Sequence, residues 1–476
     1  MNKKLALVLA LLLAMVMVIT ACGPAATTVA PAPATVAPAP ATVAPATVAP
    51  ATAKPAASNV KELKILWAQW SPSDYLQQIG NMYEKETGIK VTIVQEPWGS
   101  FGDRFNVAMA ASGTEWDMVG GDSQWTGQGA TAPYYVEMTD FLKSNGIDKT
   151  VTPATLKYYA EYPAGSGRYW GYPLEGDADA WAYRKDLFTD PANMAAFKTK
   201  YGYDLAVPTT YAQLMDIAKF FTQPAKKLYG VAIYTQKDYD AITMGVENMA
   251  FSYGAKWQNP DNTVLGVVNS PEFVAALQYY KDLYDCCQVP GLNNAFYTET
   301  NDAMIGGQAA MIMNYVGFFP ALANKATNPY ADVTGYFSNP KGPGTLGKQS
   351  SALGGQALNI ISFISPERQQ ASFDFIKWFA QDKIQTEWAK LGGNTCNTNV
   401  LASDAFKTAT PFNPVFAETM NFVMDFWNIP AYAQLLTVSQ TDFSGFVVGG
   451  QGTAQSTMDD IAKQHDTILR QAGVIK

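Results

Sequence analysis

The chain has 476 residues, 48% of them hydrophobic and 16% charged, with 33 Lys+Arg against 41 Asp+Glu and a formal net charge of −8. That length allows two or three domains, the acidic balance argues against nucleic acid as a partner, and four cysteines in so long a chain exclude a disulfide scaffold. With a single histidine, His465, two-histidine zinc motifs cannot occur, and a Ser-His-Asp triad would have to draw on a residue close to the C-terminus.

Lys3 and Lys4 precede an apolar stretch over 5–19, too short for a comfortable membrane span and shaped like a secretory signal. Ile19, Thr20, Ala21 and Cys22 follow. Small residues ahead of a cysteine resemble the lipobox of bacterial lipoproteins, which implies a signal peptide over 1–21 and lipidation of Cys22. A plain signal peptide with an incidental cysteine is the alternative. The segment 22–60 is rich in Pro, Ala and Thr, with Ala-Thr-Val-Ala-Pro at 34–38, 41–45 and 46–50; between Gly23 and Ser58 it holds one charge, Lys54, and no aromatic residue. Repeated prolines favour extended polyproline II at about 3.1 Å per residue, a reach of about 110 Å, so the segment reads as a tether. A wall-interacting or O-glycosylated stalk would do the same mechanical work. Beyond Asn59 no apolar run approaches the length of a span, and behind an export signal the remainder is expected outside the cytoplasm.

The pattern then predicts a strand over 63–67, followed by a helix in which Tyr75, Ile79, Met82 and Tyr83 recur at helical spacing until Gly88. A second strand over 91–94, a helix over 101–111 and a third strand over 116–119, closed by Gly120 and Gly121, complete β-α-β-α-β, the order of a parallel doubly wound α/β sheet. Ligands of such sheets bind beyond the carboxyl ends of the strands. The residues there are Gln69 and Trp70, then Glu96 and Trp98, then Asp122, Ser123, Gln124 and Trp125. Each set pairs an indole with hydrogen-bonding groups, the mixture a sugar needs: its C–H faces stack on rings while its hydroxyls meet carboxylates and amides. Partly buried packing tryptophans beside solvated carboxylates are the bland alternative.

Further blocks follow in a set order. They are Tyr83-Glu84-Lys85-Glu86-Thr87-Gly88-Ile89-Lys90-Val91, Trp116-Asp117-Met118-Val119, Gly171-Tyr172-Pro173-Leu174 and Tyr183-Arg184-Lys185-Asp186-Leu187-Phe188. Val207-Pro208-Thr209-Thr210, Gly306-Gly307-Gln308-Ala309-Ala310-Met311 and a helix over 365–381 come later. Over 63–468 the ordered set resembles the family 1 extracellular solute-binding proteins, the maltose-binding-protein-like sugar receptors of ATP-binding-cassette importers. The resemblance implies a two-lobed, type II-like periplasmic-binding-protein fold, each lobe a doubly wound sheet. It implies a first lobe of 61–173 plus 355–395, a second of 174–354 plus 396–476, and hinge crossings near 171–181, 351–361 and 392–399.

The resemblance also implies a ligand set. The loop 121–125 matches the first-lobe ligand loop, Glu96 a carboxylate after the second strand, and Asp177 a sugar-contacting carboxylate of the hinge strand, with Glu175 and Gln356 as further candidates. Asn314, Tyr315 and Gly317 match a segment in which maltose-binding relatives carry a stacking tryptophan where this chain has Gly317. Tyr315, Phe318 or Trp257 is then expected to supply the second platform, for a cargo smaller than maltose or shaped differently. The implied partners are a small carbohydrate, the transmembrane permease subunits of the importer, and the membrane through lipid on Cys22. The implied protein is a monomer without cofactor, metal or chemical step.

Four isolated signals stand apart. Residues 342–348 read G-x-x-x-x-G-K, but Gln349 replaces the magnesium-binding Ser or Thr, which leaves a surface turn. Glu175, Asp177 and Asp179 alternate, placing them on one face of an extended strand: a hydrogen-bonding face, a glycosidase acid and nucleophile, or a calcium site. Cys286 and Cys287 are adjacent, a strained geometry for pairing with each other, so that one pairs with Cys396 or all stay free thiols. His465, in a helix over 454–469, is expected exposed and non-catalytic. Two other functions remain open: a surface glycoside hydrolase built on the acidic triplet, and a receptor of the same fold for a non-sugar solute, with Arg104, Arg168 or Arg184 able to form a basic pocket for an anion.

Overall fold

The computed structural model describes residues 60–476. The signal-like segment, Cys22 and the proline-rich stretch expected to act as a tether lie outside the described residues. Strand β1 (Glu62–Ala68) buries Leu63, Ile65, Leu66, Trp67 and Ala68 completely, as a strand covered on both faces must. It pairs in parallel with β2 (Lys90–Glu96) on one side and β3 (Met118–Asp122) on the other. The helix Ser71–Thr87 joins β1 to β2, buries Leu76, Ile79 and Tyr83, and ends at Gly88, whose φ of 78° lets its N–H reach Glu84 O. The helix Trp98–Ala110 joins β2 to β3 over Phe101, Phe105 and Met109.

β3 starts two residues later than its pattern predicts and runs through both glycines. Asp117, ahead of it, is committed as an anchor: Lys64 N donates to Oδ2 at 2.7 Å and Arg368 Nε to Oδ1 at 2.6 Å. The glycines mark close approach rather than a strand end. A Cβ on Gly120 would lie 2.5 Å from the Trp67 ring, and one on Gly121 2.5 Å from Asn359 Oδ1.

Downstream lie β4 (Tyr172–Arg184), β5 (Tyr229–Ala232), β6 (Ala309–Tyr315), β7 (Thr334–Phe337), β8 (Ser351–Ile360) and β9 (Val423–Met424). Seven of the nine strands of the described residues follow one path, β2-β1-β3-β8-β4-β6-β5, and off it β7 pairs with β4 and β9 with β8. β8 runs antiparallel to both β3 and β4, so the parallel order of the first three strands does not extend through the sheet. β4 pairs with β8 from Tyr172 to Ala178, across a register shift between Pro173 and Glu175, and with β6 from Asp179 onward. β7 joins it from Trp181. One strand is thus shared by two sheet portions, and β8 runs beside it at the point of exchange.

β8 likewise runs through a pair of glycines, Gly354 and Gly355. Gly355 has φ 96°, and a Cβ there would fall 2.2 Å from Glu175 O; at Gly354 it would fall 2.4 Å from the Tyr315 ring. Between β5 and β6 the helix Ala241–Tyr253 is buried at all of its positions. Against it pack the helices Pro271–Cys287 and Tyr432–Val447, and the helix Ala454–Gln471 packs on both of those.

Two expectations are overturned here. His465 is fully buried rather than exposed, because Met458, Ile461, Ala462, His465 and Leu469 share the inward stripe of the last helix. Cys286 and Cys287 form a disulfide with each other, and Cys396 is a buried free thiol. Residues 342–348 form the expected turn, in which Lys348 N donates to Ser252 O and Gly342 N to Lys348 O. Among the described residues no helix is long and apolar enough to cross a membrane.

Candidate functional site

Beyond the carboxyl ends of β1 and β3, against the middle of β8, lies a narrow cavity lined mostly by aromatic and carboxyl side chains, the lining that small-molecule sites use. Trp70 enters it from the turn after β1, Trp98 from the start of the helix after β2, and Asp122, Ser123 and Gln124 from the end of β3. Asp177 of β4 and Gln356 of β8 line it from the shared strands. Tyr239, Asp240, Phe296, Tyr315 and Phe318 approach from the β5 and β6 side, and Asp425 and Phe426 from the segment after β9.

The rings form a connected wall. Trp70 meets Trp98 edge-on at 5.3 Å between centroids, Trp98 meets Tyr239 at 5.3 Å, and Trp70 lies 5.9 Å from Phe318, which itself stacks on Tyr297 at 4.0 Å. Such an array offers faces and edges to an apolar ring surface. Polar groups span the same space: Tyr239 donates its hydroxyl to Asp122 Oδ2 at 2.6 Å, Gln124 Nε2 donates to Asp240 Oδ2 at 2.7 Å, and Gly317 N donates to Asp177 Oδ1 at 3.0 Å. Tyr239 holds φ 54°, an unusual conformation for a bulky residue, at a cost of about 1–3 kcal/mol. Its hydroxyl bond to Asp122 and its ring contact with Trp98 offset that strain.

Burial disfavours charge on every carboxyl here. It raises Asp122 to about 6, against hydrogen bonds from Tyr239 and Ser123 that pull downward. It raises Asp177 to about 7 despite the backbone N–H groups of Gly317 and Ala178, and Asp425 to about 8 despite Ser123. Asp240 is pushed well above the carboxylate range by burial and then by the neighbouring Asp122.

Of the thirteen residues expected at the site, Trp70, Trp98, Asp122, Ser123, Gln124, Asp177, Tyr315 and Gln356 line the cavity, and the other five do not. Gln69 is exposed, and only its backbone N–H is engaged, on Glu96 O. Glu96 turns away to Arg104 at 2.5 Å and Ser100 at 2.7 Å. Trp125 is core, stacked on Phe105 at 5.0 Å. Trp257 is buried among Phe273, Trp427 and Phe443, with its Nε1 on Glu247. Both oxygens of Glu175 accept from Asn394 N at 3.0 Å. The acidic triplet therefore presents no common face to the cavity: Asp177 alone lines it, and Asp179 is buried with neither oxygen hydrogen-bonded.

Gly317 has a steric reason. A Cβ there would lie 2.5 Å from Asp177 Oδ2 and 3.0 Å from the Trp70 ring, so the space a tryptophan would need is already filled. The sequence pattern missed Tyr239, Asp240, Phe296, Asp425 and Phe426. Asp240 precedes an apolar helix and reads as a helix cap, but it makes no side-chain cap and faces Gln124 instead. Asp425 and Phe426 sit in irregular chain, where no periodicity marks them.

The sequence signature of the family described as bacterial extracellular solute-binding protein matches residues 78–414. The putative ABC transporter periplasmic-binding protein YcjN of Escherichia coli (strain K12) is 26% identical over 230 residues, 47% of this chain. The match spans about half the length of that relative, 46%. Among solved structures, a solute-binding protein of Agrobacterium radiobacter K84 in complex with ribitol superposes with a TM-score of 0.73 at 22% identity, over 86% of this chain and 99% of that one. Maltose-bound MalE3 of T. maritima gives 0.73 at 23%, over 86% and 100%. A solute-binding protein of Thermotoga lettingae TMO bound with alpha-D-tagatose gives 0.71 at 21%, over 86% and 100%. These likenesses establish a shared fold.

Proposed function

The chain belongs to the bacterial extracellular solute-binding proteins, and from that membership we propose that it is the substrate-binding component of a carbohydrate importer of the ATP-binding-cassette type. The observation that carries the reading is the cavity. Indole and phenyl rings wall it, carboxyl and amide groups reach into it, and it lies where β4 and β8 join two sheet portions. Ribitol, maltose and tagatose in the structures of the same fold support a polyhydroxylated cargo.

The mechanism is capture by closure. Cargo contacts both sides only when they are together, so its binding energy shifts an open–closed equilibrium toward the closed form. In this reading the first lobe is 61–173 plus 355–395 and the second 174–354 plus 396–476. The exchange of partners on β4, between Ala178 and Asp179, serves as the pivot a few residues beyond the first of those boundaries. No chemical step is required. The protein works as a monomer outside the cytoplasm, held to the membrane by lipid on Cys22, and hands cargo to the permease subunits.

A thermal-shift screen over monosaccharides, disaccharides, trisaccharides and polyols tests this, because a ligand of the folded state raises the melting temperature by mass action. One carbohydrate class should stabilise the protein without glycoside turnover. Stabilisation by peptides or phosphate esters, with every carbohydrate silent, would end the sugar reading.

A further inference from the structure

The charge of the cavity is one-sided. Four carboxyl groups line it, those of Asp122, Asp177, Asp240 and Asp425, and no Lys, Arg or His is among the lining residues. The groups that hold these acids are neutral: the Tyr239 hydroxyl on Asp122, the Gln124 amide on Asp240, Gly317 N on Asp177 and Phe426 N on Asp425. Titratable neighbours add no cation either. Asp179 and Glu175 neighbour Asp177, Glu247 neighbours Asp425, and Tyr135 and Tyr432 neighbour Asp122.

The unmet hydrogen-bond demand is also lopsided. Asp240 Oδ1, Gln124 Oε1 and Gln356 Oε1 have no partner, and all three residues are more than nine-tenths buried. The two amide oxygens accept, and the Asp240 oxygen accepts once an approaching cation has ionised that acid. The fully buried unpartnered donors among the lining residues are two, Trp70 Nε1 and Trp98 Nε1.

We propose that the cargo carries a protonated amine on its polyhydroxylated frame, making it an amino sugar or amino polyol; the inference rests on the carbohydrate-receptor reading above. An ammonium supplies three donors and no acceptor, meets the acids with charge of the opposite sign, and gains from the faces of the surrounding rings. An acidic sugar would bring a further carboxylate among groups that burial already disfavours charging. A neutral sugar would leave any ionised acid in the cavity without a counter-charge. An alkyl polyamine would answer the acids, but its ammonium groups offer nothing to the two indole N–H groups, which hydroxyl oxygens satisfy.

Matched pairs make the test: glucosamine against glucose, and glucamine against sorbitol, with spermidine as a third arm, titrated calorimetrically into the full protein at pH 7. The amine of at least one pair should bind tenfold or more tightly than its hydroxyl partner. Its heat should vary with the buffer's ionisation enthalpy, because an ammonium drives protons off Asp177 and Asp425, which burial holds up to about 7 and about 8. Asp240→Asn should collapse the amine-to-hydroxyl ratio toward one; if that variant does not fold, Asp425→Asn makes the same comparison. Equal or better binding of the hydroxyl partners overturns the amine inference and leaves the carbohydrate receptor standing. Binding of spermidine with all four carbohydrates silent, or silence from all five compounds, overturns both.

Discussion

His465 accepts no proton easily. Its Nε2 lies 3.0 Å from Leu435 O, an acceptor, so that nitrogen carries the hydrogen, while Nδ1 is buried without a partner. Burial depresses its pKa to about 4, with the Leu435 contact opposing. The folded state therefore prefers the neutral ring, and the unfolded chain takes up the proton first, near 6.5. Its contribution is present above about pH 6.5 and is lost as pH falls toward 4, a swing of about 3 kcal/mol. Urea unfolding at pH 7 and pH 4 should show wild type losing about that much more than His465→Gln on acidification. Equal losses would mean that the imidazole titrates as it does in water. The cavity acids act in the opposite sense: Asp122, Asp177 and Asp425, raised to about 6, 7 and 8, favour the fold at low pH and withdraw that support as pH climbs through those values. The inward stripe that buries His465 was legible in its spacing, whereas the polarity of the side chain pointed to the surface. Trp125 misled in the other direction: its place after a strand matched a ligand position, but Phe101 and Phe105 claim its ring.

At the level of elements, the first three strands and their two helices could be read from period and punctuation, because each is a local unit whose apolar pattern answers to one environment. Glycine was the point of failure. Gly120 and Gly121 read as a strand end, but they lie inside a strand, as Gly354 and Gly355 do, where another residue needs the space. Such a demand comes from a partner tens to hundreds of residues away and leaves no trace in local sequence. The same holds for β9 and for Asp425 beyond it, which are placed by β8 rather than by their own pattern. Gly355→Ala tests the crossing of β4 and β8. With φ at 96° and Glu175 O 2.2 Å from the new Cβ, the substitution should cost about 2 kcal/mol or more, read as a lowered melting temperature. It should also weaken cargo binding, since Gly354, Gly355 and Gln356 line the cavity. A variant with wild-type stability would show that the crossing tolerates a side chain.

For the molecule as a whole, the proposed closure predicts that the polar bridges across the cavity hold its two sides together. Tyr239 to Asp122 and Gln124 to Asp240 join segments more than a hundred residues apart in sequence. Removing the first with Tyr239→Phe should enlarge the radius of gyration of the cargo-free protein in small-angle scattering, and cargo should restore compactness. Indistinguishable scattering from the two proteins would place the balance elsewhere. The path of the sheet has a consequence for how the chain is made. Met118 finds its second strand neighbour only at Ile360, on β8. Until that stretch emerges, β3 keeps a bare edge and the first half of the sheet cannot close. Folding of such a long-range topology is slow, and here its completion must wait for most of the chain. A nascent chain with this path exposes an unpaired β3 edge through most of its synthesis and becomes cooperative only once β8 has been made.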